Sequence, residues 1–312
     1  MTITTQEITS STHAAFLPEI WSDDTQDALE FATVISELVT TKFESQMTIG
    51  RILHIPHRSN MATQSKTEGV TNTVVFQAIT QTNQDITVST YQYAACLLNK
   101  IVQAQSKYAD RAALSKKMGY ALARGMEVTL AALAQNFSQT VGGYGTDTDD
   151  SQLRRAWQYL ADAGFVDEDN DIAWVFSPGA KQSLFGQDRF VSGDFQSKRA
   201  VETAQLPNLY GFPAFHSQLL RSPASGQHDN FVLHRSAAIL IRQVKPTVEA
   251  QYRIEYNSDA MLIWDLYTAV EAEQPAEAPV TGNSAAGDTG GGTGTGAEST
   301  LGDSGAVLLK GI

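Results

Sequence analysis

The residues of this chain that could do chemistry concentrate in one stretch, NLYGFPAFHSQLL (208–220), where His216 directly precedes Ser217. A histidine base beside a serine nucleophile would suit a hydrolase. The nucleophile elbow of serine hydrolases, however, needs Gly-x-Ser-x-Gly at a turn between a strand and a helix, and this stretch lacks that pattern. Neighbouring residues in a strand also point to opposite faces. The stretch therefore favours a structural strand and turn.

Two other groups have residue types that bind metals. His54 and His57 lie close together, but no cysteine or carboxylate cluster accompanies them in the sequence, so the end of a strand is favoured over a metal site. Asp147, Asp149 and Asp150 could bind calcium. Their spacing lacks the glycine and the twelfth-position glutamate of a calcium loop, so they are interpreted as the N-terminal cap of a helix.

The remaining candidates favour structure over chemistry as well. The segment TGGGTGTG (289–296) is glycine-rich like a phosphate loop, but it lacks the Gly-Lys-Ser/Thr ending and follows no strand, which indicates a linker. Cys96 is the only cysteine, so an internal disulfide is excluded, and its setting YAACLL predicts a buried small apolar residue. No cofactor is expected.

The composition excludes several classes of function. The chain has 312 residues, a net charge of −12 and only 18% charged residues, which argues against a nucleic-acid binder and suits surfaces covered by partners. Neither a signal-peptide pattern nor a long apolar run is present, so we expect a soluble protein that is made in the cytoplasm and contacts no membrane.

The first third of the chain predicts an arm, a helix and a hairpin. Residues 1–15 lack periodicity, and residues 22–39 have a helical apolar pattern that Ser22 or Asp23 would cap. Residues 1–45 contain eight acidic residues and one lysine. Residues 47–93 alternate with period two around a polar tip, which predicts a projecting hairpin that lies on a neighbouring subunit.

The remainder predicts one long helix, a mixed region and a tail. Apolar residues recur every three or four positions from Lys107 to Phe137, which predicts a helix of about 45 Å. Residues 150–235 mix helices and strands, and strands continue to about residue 271. Ten of the 23 glycines fall in the last forty residues, but the chain ends on the apolar AVLLKGI (306–312), which we expect to dock on the same or a neighbouring subunit after an extended segment, 273–300.

In this order of elements the chain resembles the major capsid proteins of tailed bacteriophages of the Hong-Kong-97 type. The matching segments, each weak alone but correct in order, are FLPEIWSDDTQDALEFATVISELVTTKFE (16–44), NKIVQAQS (99–106), WVFSPGAKQSLF (174–185), LYGFPAFHSQLL (209–220) and FVLHRSAAILIRQ (231–243). The resemblance implies an α+β fold with an N-terminal arm, an extended β-hairpin, a long spine helix, a peripheral domain and an α/β axial domain. The implied division is 1–45 arm and acidic helix, 46–84 hairpin, 85–144 peripheral strand and spine helix, 145–230 axial domain, 231–272 return strands and 273–312 tail.

The resemblance implies a structural protein of the virion rather than an enzyme. Hexamers and pentamers of the chain would form an icosahedral shell around double-stranded DNA, without sequence-specific binding, together with portal and separate scaffolding proteins and possible decoration proteins. An encapsulin-like compartment shell of the same fold and a soluble α/β enzyme are the alternatives.

The residues expected to contact neighbouring subunits lie in the arm, the hairpin and the tail. Some members of the resembled family also join a hairpin lysine to an asparagine of another subunit. Here the lysine would be Lys66 and the asparagine Asn257. The catalytic glutamate of that reaction has no identifiable counterpart in this sequence, so an uncrosslinked lysine is favoured. The expected contact residues are Phe16, Trp21, Arg58, Lys66, Glu68, Leu308 and Leu309.

Overall fold

A computed structural model describes residues 33–58, 61, 76, 78–79, 81–105, 111–166, 171–191, 206, 208–273 and 305–311. Its helices are α1 (Ile35–Leu38), α2 (Lys100–Gln105), α3 (Arg111–Ala132), α4 (Asp150–Asp162), α5 (Pro178–Phe185) and α6 (Asp188–Val191). Its strands are β1 (Ile52–Arg58), β2 (Gln81–Thr87), β3 (Thr90–Asn99), β4 (Gln139–Gly142), β5 (Ile172–Phe176), β6 (Ala214–His216), β7 (His228–His234), β8 (Ala238–Arg253), β9 (Ser258–Glu271) and β10 (Ala306–Gly311).

The long helix ends earlier than the sequence predicts. Its described part, α3, has 22 residues and is about 33 Å long, and residues 107–110 of the predicted span lie outside the described residues. A 3-10 turn over Leu133–Asn136 follows, and Phe137 is already extended. The apolar periodicity continues to Phe137 because the 3-10 turn keeps these side chains on the buried face, and periodicity alone cannot separate the two kinds of helix. Met118, Leu122 and Leu130 are buried, as the pattern predicts.

A three-stranded antiparallel sheet in the order β3-β9-β8 packs against α3. Its inner side contributes Met261 and Ile263, which contact Met118 and Leu122 of the helix. Cys96 lies on the same side, with its sulfur 3.5 Å from that of Met118. The single cysteine is therefore a packing residue, as expected, but it is half-buried rather than buried.

A five-stranded sheet in the order β4-β10-β7-β5-β6 forms the second layered region. Three of its strands lie wholly or partly outside the predicted axial range 145–230: β4 precedes it, β10 comes from the tail, and β7 extends four residues beyond it. The sequence does not reveal this membership because strand pairing between distant segments leaves no local periodic signal.

The two faces of the five-stranded sheet are covered by different helices. α1 and the C-terminal end of α3 cover one face, through Ile35, Leu130 and Ala131. α4 and α5 cover the other face, through Leu153 and Leu184 among others. All residues of β5 are buried, as is typical of a central strand.

β1 and β2 form the predicted antiparallel hairpin as a separate two-stranded sheet. The strand that pairs with β1 is Gln81–Thr87, whereas the sequence pattern favours the β-branched run at 70–79 for this place. The described residues of that run, Phe76, Ala78 and Ile79, are not in a strand. β2 is rich in Gln, Thr and Asn, so its alternation is difficult to recognise from composition.

Candidate assembly surfaces

The hairpin is anchored at its base and exposes apolar side chains. Ile86 is 1% exposed and packs with Met47 and Ile241 in a small core. Ile52, which pairs with Thr87 at the same end of the hairpin, is 49% exposed, and Ile79, just before β2, is 51% exposed. A two-stranded sheet with so little burial is marginal in water, which indicates that this surface is covered by something else.

The side chain of Gln84 fixes the hairpin to the end of β9. Gln84 is only 5% exposed, its Nε2 donates to the carbonyl of Glu271 at 2.8 Å, and its Oε1 accepts from the backbone N–H of Glu273 at 3.2 Å. A buried glutamine that uses both ends of its amide restricts the direction in which the hairpin leaves the body. The sequence gives no signal for this role, since Gln84 lies in a run of polar residues.

The outer side of the three-stranded sheet, opposite α3, carries an aromatic face, which we define as the exposed Tyr91, Tyr93 and Leu97 together with the half-buried Leu262 and Trp264. Tyr93 lies directly opposite Trp264 across the β3–β9 pair, so these side chains share one side of the sheet. The ring centroids of Tyr91 and Trp264 are 5.7 Å apart. Tyr93 is 64% exposed and Leu97 is 56% exposed. A contiguous aromatic patch of this kind is typical of an interaction surface.

A buried carboxylate on α3 holds the start of the described chain. Glu127 is 0% exposed, and its two oxygens accept hydrogen bonds from the backbone N–H groups of Val34, Ile35 and Ser36. These groups begin α1 and have no partner within the helix, so Glu127 caps α1 from another element. The sequence places Glu127 within the amphipathic helix but does not show what it contacts.

A second buried carboxylate joins the loop after β4 to β7. Asp229 is fully buried, Arg221 Nη1 lies 2.7 Å from it, and the hydroxyl of Tyr144 donates to it at 2.6 Å. Burial and this hydrogen bond raise the pKa of Tyr144, and the hydrogen bond to Asp229 raises the pKa of Arg221. Tyr144 and Arg221 therefore both stay protonated, and the cluster has a structural role: it holds the loop after β4 against β7.

His216 and Ser217 lie in different environments. His216 is exposed, whereas Ser217 is 2% exposed and its Oγ accepts from the backbone N–H of Leu219 at 3.1 Å. The stretch before them contains a tight turn in which Tyr210 and Gly211 both have positive φ, 54° and 90°. The predicted structural strand and turn is thus confirmed.

The aspartates before α4 are occupied by structural contacts. Asp149 caps α4, accepting from Gln152 N at 2.9 Å, as predicted. Asp150 binds Arg189 at 2.7 Å and also accepts from the hydroxyl of Tyr210, whose pKa burial and this bond raise to about 12. Within the described residues no group of three or more potential metal-binding side chains occurs. His54 instead pairs with Asp85 across the hairpin.

The expected contact residues are only partly described. Phe16, Trp21, Lys66 and Glu68 lie outside the described residues, as do the tip of the hairpin and most of the Gly-rich tail. Arg58 is exposed at the end of β1. Leu308 and Leu309 are 3% and 0% exposed inside the five-stranded sheet of their own chain, so the tail docks on its own subunit in this structure and leaves these two side chains no free surface to offer a neighbour. Asn257 has a left-handed conformation and accepts from the hydroxyl of Tyr252 at 2.8 Å.

No helix within the described residues is long and apolar enough to cross a membrane. No family model matches this sequence, and no curated protein sequence matches it significantly.

Solved phage structures nevertheless share the whole fold. A structure from Mycobacterium phage Che8 is 20% identical with a TM-score of 0.75, over 94% of this chain and 97% of that chain. The capsid structure of Cyanophage P-SCSP1u is 15% identical with a TM-score of 0.69, over 96% and 94%. The mature capsid of bacteriophage PhiM1 is 11% identical with a TM-score of 0.70, over 95% and 92%. The chain therefore has the α+β fold found in phage capsids.

Proposed function

We propose that this chain is the major capsid protein of a tailed bacteriophage, a structural protein of the virion that assembles into the shell around a double-stranded DNA genome. The observation that carries the proposal is similarity to capsid structures over more than nine tenths of both chains. The order of elements that the amino-acid sequence alone predicts supports it independently.

In this proposal the elements take the following roles. The β1–β2 hairpin is the extended loop, α3 is the spine helix, and α3 with the β3-β9-β8 sheet forms the peripheral domain. The five-stranded sheet with α4 and α5 forms the axial domain. Residues 1–45 would supply the arm and the acidic helix.

Two separate apolar surfaces on each subunit support assembly through heterologous contacts. The hairpin and the aromatic face are both exposed, and they lie on different sheets of the same chain. A contact in which one surface of a subunit binds a different surface of the next generates rings when the rotation closes. Hexamers and pentamers are such rings, and we propose that the hairpin of one subunit covers part of the next subunit in the ring.

The charge distribution supports a role as a container. The net charge of −12 disfavours tight electrostatic binding to packaged DNA, since nonspecific binding requires clustered lysine and arginine. Portal and scaffolding proteins, and decoration proteins where present, are the partners that this role requires. Synthesis in the host cytoplasm belongs to the same proposal.

Electron microscopy of the purified chain, with and without a co-expressed scaffolding protein, tests the proposed function. Closed shells of regular size are the expected result, and DNA inside shells from infected cells would distinguish a phage head from an encapsulin-like compartment. A chain that stays monomeric under every assembly condition would refute the shell role.

A paired variant tests the aromatic face. Tyr93→Ser removes an aromatic ring that is 64% exposed, so the stability of the subunit should change by no more than about 0.5 kcal/mol while the yield of shells falls. Tyr256→Ser is the matched control, because Tyr256 is 62% exposed and lies outside both apolar surfaces. Equal shell yields from the two variants would contradict a role of the aromatic face in assembly.

A further inference from the structure

The last described strand lies in the middle of a sheet whose other strands are distant in sequence. β10 pairs with β4 in parallel and with β7 antiparallel, and β4 has no other pairing in this sheet. Removing β10 would therefore leave β7-β5-β6 on one side, β4 on the other, and a groove one strand wide between them.

The side chains of β10 contribute to both cores of the domain. Ala306 and Leu308 belong to the core under α1 and α3, and Val307 and Leu309 belong to the core under α4 and α5. None of these four side chains is more than 3% exposed. An empty groove would thus open both cores to water at once.

The groove is shaped for a particular sequence. A Cβ atom at Gly311 would lie 2.7 Å from Thr148 Oγ1, and one at Gly305 would lie 2.7 Å from the ring of Phe165. Between these glycines, the ammonium of Lys310 lies 5.1 Å from the centre of the Tyr144 ring. The groove therefore selects a short apolar strand with a glycine at each end.

The connection to the rest of the chain has many more residues than the gap between its ends requires. Ala272 N bonds to Ala237 O at 2.8 Å, and His234 N bonds to Gly305 O at 2.9 Å, so the two ends of the connection are anchored three residues apart. A gap of about 10 Å needs three or four residues, and residues 273–304 supply 32. The contacts of β10 within the groove, rather than a short link, must keep it docked.

We propose that the groove between β4 and β7 is a peptide-binding site, that its ligand is the segment Gly305–Gly311 of the same chain, and that this segment docks as a separable ligand onto a subunit that is otherwise folded. The mode of binding is β-augmentation, with main-chain hydrogen bonds on both sides and side-chain pockets on both faces. The proposal concerns the subunit alone and does not depend on the shell role.

Cleavage of the connection after folding tests this proposal. A recognition sequence for a site-specific protease replaces residues 288–296, and the folded protein is cut there. A fluorescent peptide spanning residues 304–312 is then added in excess, in urea at a concentration too low to unfold the protein. We expect the cut fragment to stay bound during gel filtration and to be replaced by up to one labelled peptide per chain, whereas uncut protein takes up almost none. A peptide carrying Leu309→Asp serves as the control and should not bind.

Three results would overturn the proposal. Equal uptake by cut and uncut protein would place the peptide at another surface, and no uptake by cut protein would show that the strand is not separable. Loss of the fragment from a folded, monodisperse protein that then takes up none of the added peptide would show that the groove does not bind the segment.

A disulfide trap identifies the chain that supplies the strand without any cleavage. The His234–Gly305 hydrogen bond makes Ala306 and Leu233 a non-hydrogen-bonded pair, and such pairs have Cα atoms about 4.5 Å apart, within disulfide range. Leu233→Cys with Ala306→Cys, in a Cys96→Ser background, should give a cross-link within one chain on a non-reducing gel. Cross-linked multimers would instead show exchange between copies and overturn docking on the same chain.

Discussion

Removal of the Glu127 carboxylate should release the segment 34–39, which contains α1. Glu127→Ala leaves the N–H groups of Val34, Ile35 and Ser36 without their acceptor. An unpaired buried N–H costs about 1–3 kcal/mol, and the total is smaller than three times this value because the hydrogen bonds of Val34 and Ser36 are only partly buried. The segment can escape this cost by detaching into water, which limits the loss.

The limit is set by what the segment buries. Ile35 and Val39 are 1% and 2% exposed, and full burial of such side chains contributes about 1.5–3 kcal/mol each. We therefore expect the free energy of unfolding of Glu127→Ala to fall by about 3–6 kcal/mol, through detachment of the segment. Glu127→Gln should lose less, because the amide oxygen can still accept from the two N–H groups that share one carboxylate oxygen.

Two measurements on the unassembled subunit check this expectation. Urea denaturation gives the free energy of unfolding, and hydrogen exchange with mass spectrometry reports protection of residues 34–38. Glu37→Ala is the control, since Glu37 is exposed on the same short helix. Unchanged exchange and unchanged stability in Glu127→Ala would refute the assigned capping role.

Two further pairs of substitutions follow from burial. Leu309→Ala, at a side chain that is 0% exposed, should lower the free energy of unfolding by about 2–5 kcal/mol. Leu97→Ala, at a side chain that is 56% exposed, should leave subunit stability nearly unchanged and lower only the yield of shells. Similar melting temperatures for the two variants would contradict the assigned burial. Burial raises the pKa of Asp265, so its charge opposes folding at neutral pH and this penalty disappears as the pH falls through the folded pKa towards the ordinary value of 3.8. Asp265→Asn should consequently raise the melting temperature at pH 7 and lose its advantage below that value, while Asp229→Asn, which breaks an ion pair with Arg221, should lower the melting temperature at pH 7. Melting curves from pH 3 to 8 check both substitutions, and a stabilising Asp229→Asn would contradict the structural role of the Asp229 cluster.

Local signals in the sequence predict the local elements well. Asp149 as a helix cap, the buried strand before Pro178 and the packing role of Cys96 all follow from residue type and spacing, which act over a few residues. The order of such elements is enough to reveal the resemblance to capsid proteins. The 3-10 end of the long helix escapes prediction because the apolar pattern does not distinguish the two helix types.

The contacts that define the candidate surfaces cannot be predicted from single positions. The central place of β10 depends on pairing with strands more than seventy and more than one hundred and sixty residues away. Gln84 and Glu127 have ordinary surroundings in the sequence, and only the fold brings their side chains to the backbone groups they satisfy. The apolar character of Leu308 and Leu309 predicts that the terminus docks, but it does not indicate which strands receive it.

The length of β8 has a mechanical consequence. The strand begins at Ala238 beside the core of the five-stranded sheet and ends at Arg253, next to the exposed Ile254, and β9 returns along it. Tension applied along these strands is carried by two backbones in parallel, which the ladder hydrogen bonds hold in register. The ladder is irregular between Arg242 and Thr247, and such irregularities bend a strand. In the proposed shell, flexing between the two sheets should concentrate at these few residues and leave the rest of the strand pair straight.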